Sequence, residues 1–173
     1  MEEENYIEID IETVIQNFLA EEGLLKQKID DENSNFHFIV EYPKNNALDL
    51  IQPKGKKDLI IIGCATEISK EQIPLIQAAD LKTRQEFIWD VRFSINKFLL
   101  DFELYHPNDV LERFVITDEI FIDGLTKDRL ISSIKKVFKA KLHCIWLLGK
   151  TFSGNSTVES DKQNTNVKDN MFI

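Results

Sequence analysis

Three short stretches carry residue types and spacings from which ligand-binding chemistry is commonly built. Gly149-Lys150-Thr151 has the ending of a phosphate-binding loop, whose backbone N–H groups and following helix N-terminus cradle phosphates. That motif needs a glycine at position 144, a strand before it and a helix after it. Position 144 is Cys, a helical pattern precedes, and a polar tail follows, so the expectation is a helix end with Gly149 as terminator. Asp31, Asn33 and Asn35 match the first, third and fifth positions of a calcium loop. Phe36 stands where the turn glycine belongs and Tyr42 where a bidentate Glu should close the site, so a polar turn is expected instead.

His37, His106 and His143 show no HxxxH or HxH spacing, and Cys64 and Cys144 no CxxC, so no metal site is assigned. Both cysteines sit in apolar runs, as buried reduced thiols do. Asp118, Glu119 and Asp123 fall near the end of a strand pattern. Acid–base work needs two carboxyls in unlike environments within a cleft, and solvated loop acids are the plainer reading. Ser94, Ser132 and Ser133 lack a GxSxG elbow or an SxxK partner, so no catalytic residue and no cofactor are assigned. Arg129, Lys135, Lys136, Lys139 and Lys141 gather positive charge on the last helical pattern. Lys135, Lys136 and Lys139 are placed on its outer side, as solubilising amines, with Lys141 nearer the apolar stripe. An anionic partner is the functional reading of this patch.

The elements that must position these residues follow from periodicity. Asp10 caps a helix with Ile11, Val14, Ile15, Phe18 and Leu19 on one face, ended by Gly23. Residues 36–42, 47–51 and 58–68 read as strands joined by short polar turns, with 24–29 a weaker strand pattern. The next helix either starts at Ile73 with Pro74 at its first position or breaks near Asp80 before resuming, and is continuous over 81–101 in both cases. Strands at 102–105 and 113–122 follow around a His106-Pro107-Asn108-Asp109 turn. A last helix is capped by Thr126 and runs to about Leu148. The expected fold is α+β: a two-layer domain over 1–152, with an antiparallel sheet of about five strands, helices on one face, and order α-β-β-β-α-β-β-α. Residues 153–173 are rich in Ser, Asn, Thr and Asp without periodicity and read as a disordered tail, its apolar last three residues as a frayed end.

Within that frame the chain of 173 residues can bury one sizeable core. A net charge of −9 argues against a phosphate-backbone binder and so against nucleic acid. No stretch of 18 apolar residues is present and the first ten residues are acidic, so neither a membrane span nor a signal peptide is expected; the expected location is cytoplasmic.

The long central helix poses the one open question. At 100° per residue, Phe87, Ile88, Val91, Ile95, Phe98, Leu99 and Phe102 form a broad stripe that suffices to cover a sheet. Trp89, Phe93 and Leu100 form a second stripe, turned by roughly a third of the circumference. They are surplus to the sheet-covering face, so they are covered by the first or last helix, by a second subunit or by a ligand; the partner reading makes Trp89 and Phe93 the anchors of a homodimer or peptide interface.

The order of elements is similar to the type III secretion chaperone-like fold, also seen in YbjN-like proteins. EFIWDVRF (86–93) and IFIDGLTKDRL (120–130) resemble segments of an uncharacterised, largely archaeal domain-of-unknown-function family, over about residues 8 to 152. The resemblance to that family brings no catalytic residues. The chaperone resemblance implies a dimeric, non-enzymatic binder of extended client segments. The function expected is therefore a non-enzymatic protein-binding or chaperone-like module. The alternative is a small-molecule or anion-binding protein, with weak enzymatic activity at most, using a cleft between the long helix and the sheet.

Overall fold

The computed structural model describes residues 10–153 and the backbone of Lys168 and Asp169. Helix α1 (Ile11–Glu21) begins where the Asp10 carboxylate accepts from the Glu12 N–H at 3.2 Å, and ends where Gly23 takes a φ of 65°, a backbone region that costs glycine least. Strands β1 (Leu25–Ile29), β2 (Ser34–Glu41), β3 (Ala47–Pro53) and β4 (Leu59–Glu67) follow as an antiparallel meander. A six-residue helix, α2 (Ile73–Ala78), leads into α3 (Leu81–Lys97), and β5 (Asp101–Tyr105) and β6 (Arg113–Phe121) come next. Helix α4 (Lys127–Phe152) is capped by Thr126, whose hydroxyl accepts from the Arg129 N–H at 3.1 Å.

The sheet order is β1-β2-β3-β4-β6-β5, every pair antiparallel. A two-residue strand, β7 (Lys168–Asp169), pairs with the end of β4. The expected α+β architecture holds, with one addition: 24–29 does supply a strand, making six in the main sheet. Of the two courses open to the helix after Pro74, the structure takes the break near Asp80, which separates α2 from α3. The expectation for 153–173 falls outside the described residues apart from Ser153 and β7.

Asp118 on β6 takes a hydrogen bond from the Ser133 hydroxyl of α4, which marks the helix-facing side of the sheet. Cross-strand register then places Ile62, Leu50 and Phe38 on that side, and all three are fully buried. They join Ile15 and Leu19 of α1, Phe87, Val91 and Ile95 of α3, and Ile134 and Val137 of α4 in one core cluster. Cys64 and Cys144 are free and buried in it, and desolvation pushes the Cys144 thiol up to about 12.

Two expectations need correction. Helix α3 stops at Lys97, four residues short of 101, because Leu99 turns the chain with a φ of 55°. The 100° phase lapses there, so Leu99 leaves the first stripe and is 83% exposed, while Leu100 leaves the second and is buried. Lys136, placed outward from periodicity, instead reaches Asp118 at 2.8 Å. Lys141, placed nearer the apolar stripe, is only 2% exposed, in keeping with that placement.

Candidate functional site

Helix α3 presents the site, and local chemistry fixes where it starts. Asp80 sits at its N-cap in extended conformation and accepts from the Thr83 N–H at 3.0 Å and the Thr83 hydroxyl at 2.6 Å. These bonds hold the Asp80 carboxyl below its usual range. Phe87, Ile88, Val91 and Ile95 are buried, so the opposite side of the helix carries Trp89 and Phe93 outward, one turn apart. Their rings stack with centroids 5.7 Å apart and planes at 28°. Both stay in water: Trp89 is 53% exposed and Phe93 58%.

Arg92 completes the patch. Its guanidinium carbon lies 4.8 Å from the Trp89 ring centroid, within range of a cation–π contact worth about 0.5–1 kcal/mol at an exposed position. The same guanidinium donates to His106 Nε2 at 3.0 Å, which makes that nitrogen an acceptor and puts the imidazole's proton on Nδ1. Gln85, seven residues earlier, donates to Asp109 at 3.1 Å. Two side chains from one flank of α3 thus hold the Pro107–Asp109 turn, in which Asn108 and Asp109 take φ values of 52° and 59°. The aromatic pair is therefore pre-positioned by a capped helix and a pinned turn.

Of the residues singled out from sequence, Trp89 and Phe93 come together and Leu100 does not join them. The Trp89–Arg92 contact was missed; its signal was the three-residue spacing on one helix. Trp146 and Tyr105, 65% and 60% exposed, were missed too.

The other sequence candidates separate. Asp118 is buried under α4, where Arg129 lies at 3.4 Å and Lys136 at 2.8 Å, whereas Glu119 points to the opposite face and is exposed. With Lys127 at 2.9 Å from Glu21 and 2.6 Å from Glu22, much of the basic character of α4 is met by carboxylates of the same chain. Asp31 to Asn35 form a turn into β2, with Asp31 accepting from the Asn33 N–H at 2.9 Å and the Ser34 hydroxyl at 2.5 Å. On the sheet face away from the helices, His37 lies buried between Asp49, 2.7 Å from Nε2, and Asp31, 3.4 Å from Nδ1. The three histidines do not converge, and among the described residues no group of three or more His, Cys, Asp or Glu is arranged to hold a metal ion.

His143 Nε2 stands 3.2 Å from Ser94 Oγ across the α3–α4 seam, beside a 290 Å³ hollow lined also by Lys97 and Phe98. Ser94 lies in the last turn of α3, where backbone N–H groups are spent on the helix, so the pair has no backbone oxyanion donors beside it. A larger hollow of 660 Å³ lies at the end of β4, among Glu67, Lys70, Glu103, Tyr105 and Arg113, with charges of both signs.

A family model described as "Uncharacterized conserved protein (DUF2299)" matches residues 11–148. No curated protein matches the chain. Among solved structures, the crystal structure of an uncharacterized protein from Methanothermobacter thermautotrophicus is 50% identical, covers 82% of this chain and 98% of its own, and superposes with a TM-score of 0.79. The crystal structure of YbjN, a putative transcription regulator from E. coli, is 15% identical over 76% of this chain and 88% of its own, with a TM-score of 0.45.

Proposed function

The chain belongs to the DUF2299 family of uncharacterized conserved proteins, and from that premise we propose that it is a non-enzymatic protein-binding module whose contact surface is the outer face of α3. The observation that carries the reading is the Trp89–Phe93 stack with Arg92 laid over it, held half in water on a rigid helix. Trp and Arg dominate the energetic centres of protein interfaces. Covering what Trp89 and Phe93 still expose, about half of each ring, would contribute about 1–1.5 kcal/mol for each before ordering costs.

The occupant proposed is a second copy of the chain, meeting this face about a two-fold axis so that each aromatic stack packs on its counterpart. The reading is favoured over the small-molecule alternative, which needs a cleft between α3 and the sheet, because α3 turns Phe87, Ile88, Val91 and Ile95 into the core cluster. No described helix is long and apolar enough to cross a membrane, and buried reduced thiols suit the proposed cytoplasmic location.

Size-exclusion chromatography with light scattering on wild type and Trp89→Asp tests the reading. The expected result is a dimeric wild type and a monomeric variant, with unchanged circular dichroism because position 89 supports no core contact. A monomer in both samples eliminates self-association through this face.

A further inference from the structure

The nine residues of β4 are unequally accompanied on their two sides. β6 follows the strand from Leu59 to Glu67, whereas β3 pairs with it only through Asp49, Leu50 and Ile51, opposite Gly63, Ile62 and Ile61. β3 instead stays with β2 along its whole length, from Ala47 opposite Glu41 to Pro53 opposite Ser34. Past Gly63, then, the β3-facing edge of β4 presents backbone donors and acceptors that its nominal neighbour does not meet. Among the described residues, the backbone that meets them is β7, with Asp169 opposite Thr66 and Lys168 opposite Glu67.

We propose that the edge of β4 past Gly63 is a recognition site for an extended peptide strand, and that its resident occupant is the chain's own C-terminal segment around Lys168 and Asp169, held in cis and exchangeable. Backbone pairing onto an open edge is the chemistry of strand addition, which asks of its ligand an extended, polar-tolerant stretch without proline at the pairing positions. Residues 163–173, QNTNVKDNMFI, are mostly polar and contain no proline, and Lys168 and Asp169 pair as a strand. A two-residue ladder holds a free peptide only weakly. The tether compensates. Fourteen residues, 154–167, separate Ser153 from Lys168, a reach of up to about 50 Å, against a radius of gyration of about 15 Å for a domain of this size. The segment thus meets the edge at millimolar effective concentration. A short ladder supported by a tether is easily displaced, so the segment acts as a removable cover over the site.

The test uses the full chain and a double variant, Lys168→Pro with Asp169→Pro, in which neither residue can donate to a ladder. Hydrogen exchange read by mass spectrometry should show the edge-facing amides among residues 64–67 exchanging at least tenfold faster in the variant, with the Ile68 amide, bonded to Glu112, unchanged. A fluorescein-labelled synthetic peptide of residues 163–173 should bind the variant at least tenfold tighter than wild type by fluorescence anisotropy, because the tethered competitor is gone. Unchanged exchange, a peptide that does not bind the variant, or equal binding to both proteins overturns the assignment. Protection that rises with protein concentration would assign the strand to a neighbouring copy and overturn the cis arrangement. Trp89→Asp should leave both readouts as in wild type, which keeps this result separate from the fate of the α3 surface.

Discussion

Asp31 shows how much a single turn residue can hold. Its carboxylate accepts from Ser34 and from the Asn33 N–H and stands beside His37. The Ser34 hydroxyl, then the Asn33 amide, lowers its proton affinity below the ordinary 3.8, with the imidazole adding to the effect. A carboxyl with a depressed folded-state pKa contributes stability that is present above its unfolded value and is lost as pH falls through the folded one. Asp31→Asn should therefore flatten the acid limb of the stability curve below about pH 4, and cost about 1–3 kcal/mol at pH 7. Urea unfolding of both proteins from pH 2.5 to 7 checks this; parallel curves would show that the carboxylate's charge is not what these contacts use. His37 and Asp49 were beyond sequence reading, because twelve residues separate them and only the β2–β3 register brings them to 2.7 Å.

At the level of elements, what was legible was what is local. Asp10, Asp80 and Thr126 stand at observed caps, and Asp10 and Thr126 were assigned from residue type alone. The alternating or continuous apolar runs of β2, β4 and β6 lie within two residues of their expected bounds. The end of α3 was not legible: its apolar pattern runs on to Phe102, and nothing short-range announces that Leu99 will adopt left-handed backbone, a conformation that glycine usually supplies. Consequently two residues of the aromatic patch were found and its third member, Leu100, was misplaced. Because the patch depends on where α3 begins, Asp80→Ala should remove about 1 kcal/mol of stability by loss of the two bonds to Thr83. Urea titration measures that loss, and Asp80→Ser should recover most of it.

Across the whole molecule, helices and sheet meet over one core, and the two thiols report on its integrity. Cys144 is 1% exposed with its thiol pushed up to about 12, and Cys64 is 3% exposed nearby in the same cluster. A native chain should accordingly leave a thiol reagent such as Ellman's unreacted for as long as it stays folded, with labelling that tracks global unfolding in denaturant. Rapid labelling of either cysteine in buffer would mean that α4 lifts from the sheet on its own.

The route by which the sheet is closed has a kinetic meaning. β1 through β4 are stitched by neighbours in sequence, but β6 is laid along β4 from a distance: Ile62 faces Asp118, 56 positions away. Drawing those two strands together costs loop-closure entropy before any contact between them is rewarded. The first four strands can be assembled cheaply, and the seam between β4 and β6 is where the search for the native state is slowest.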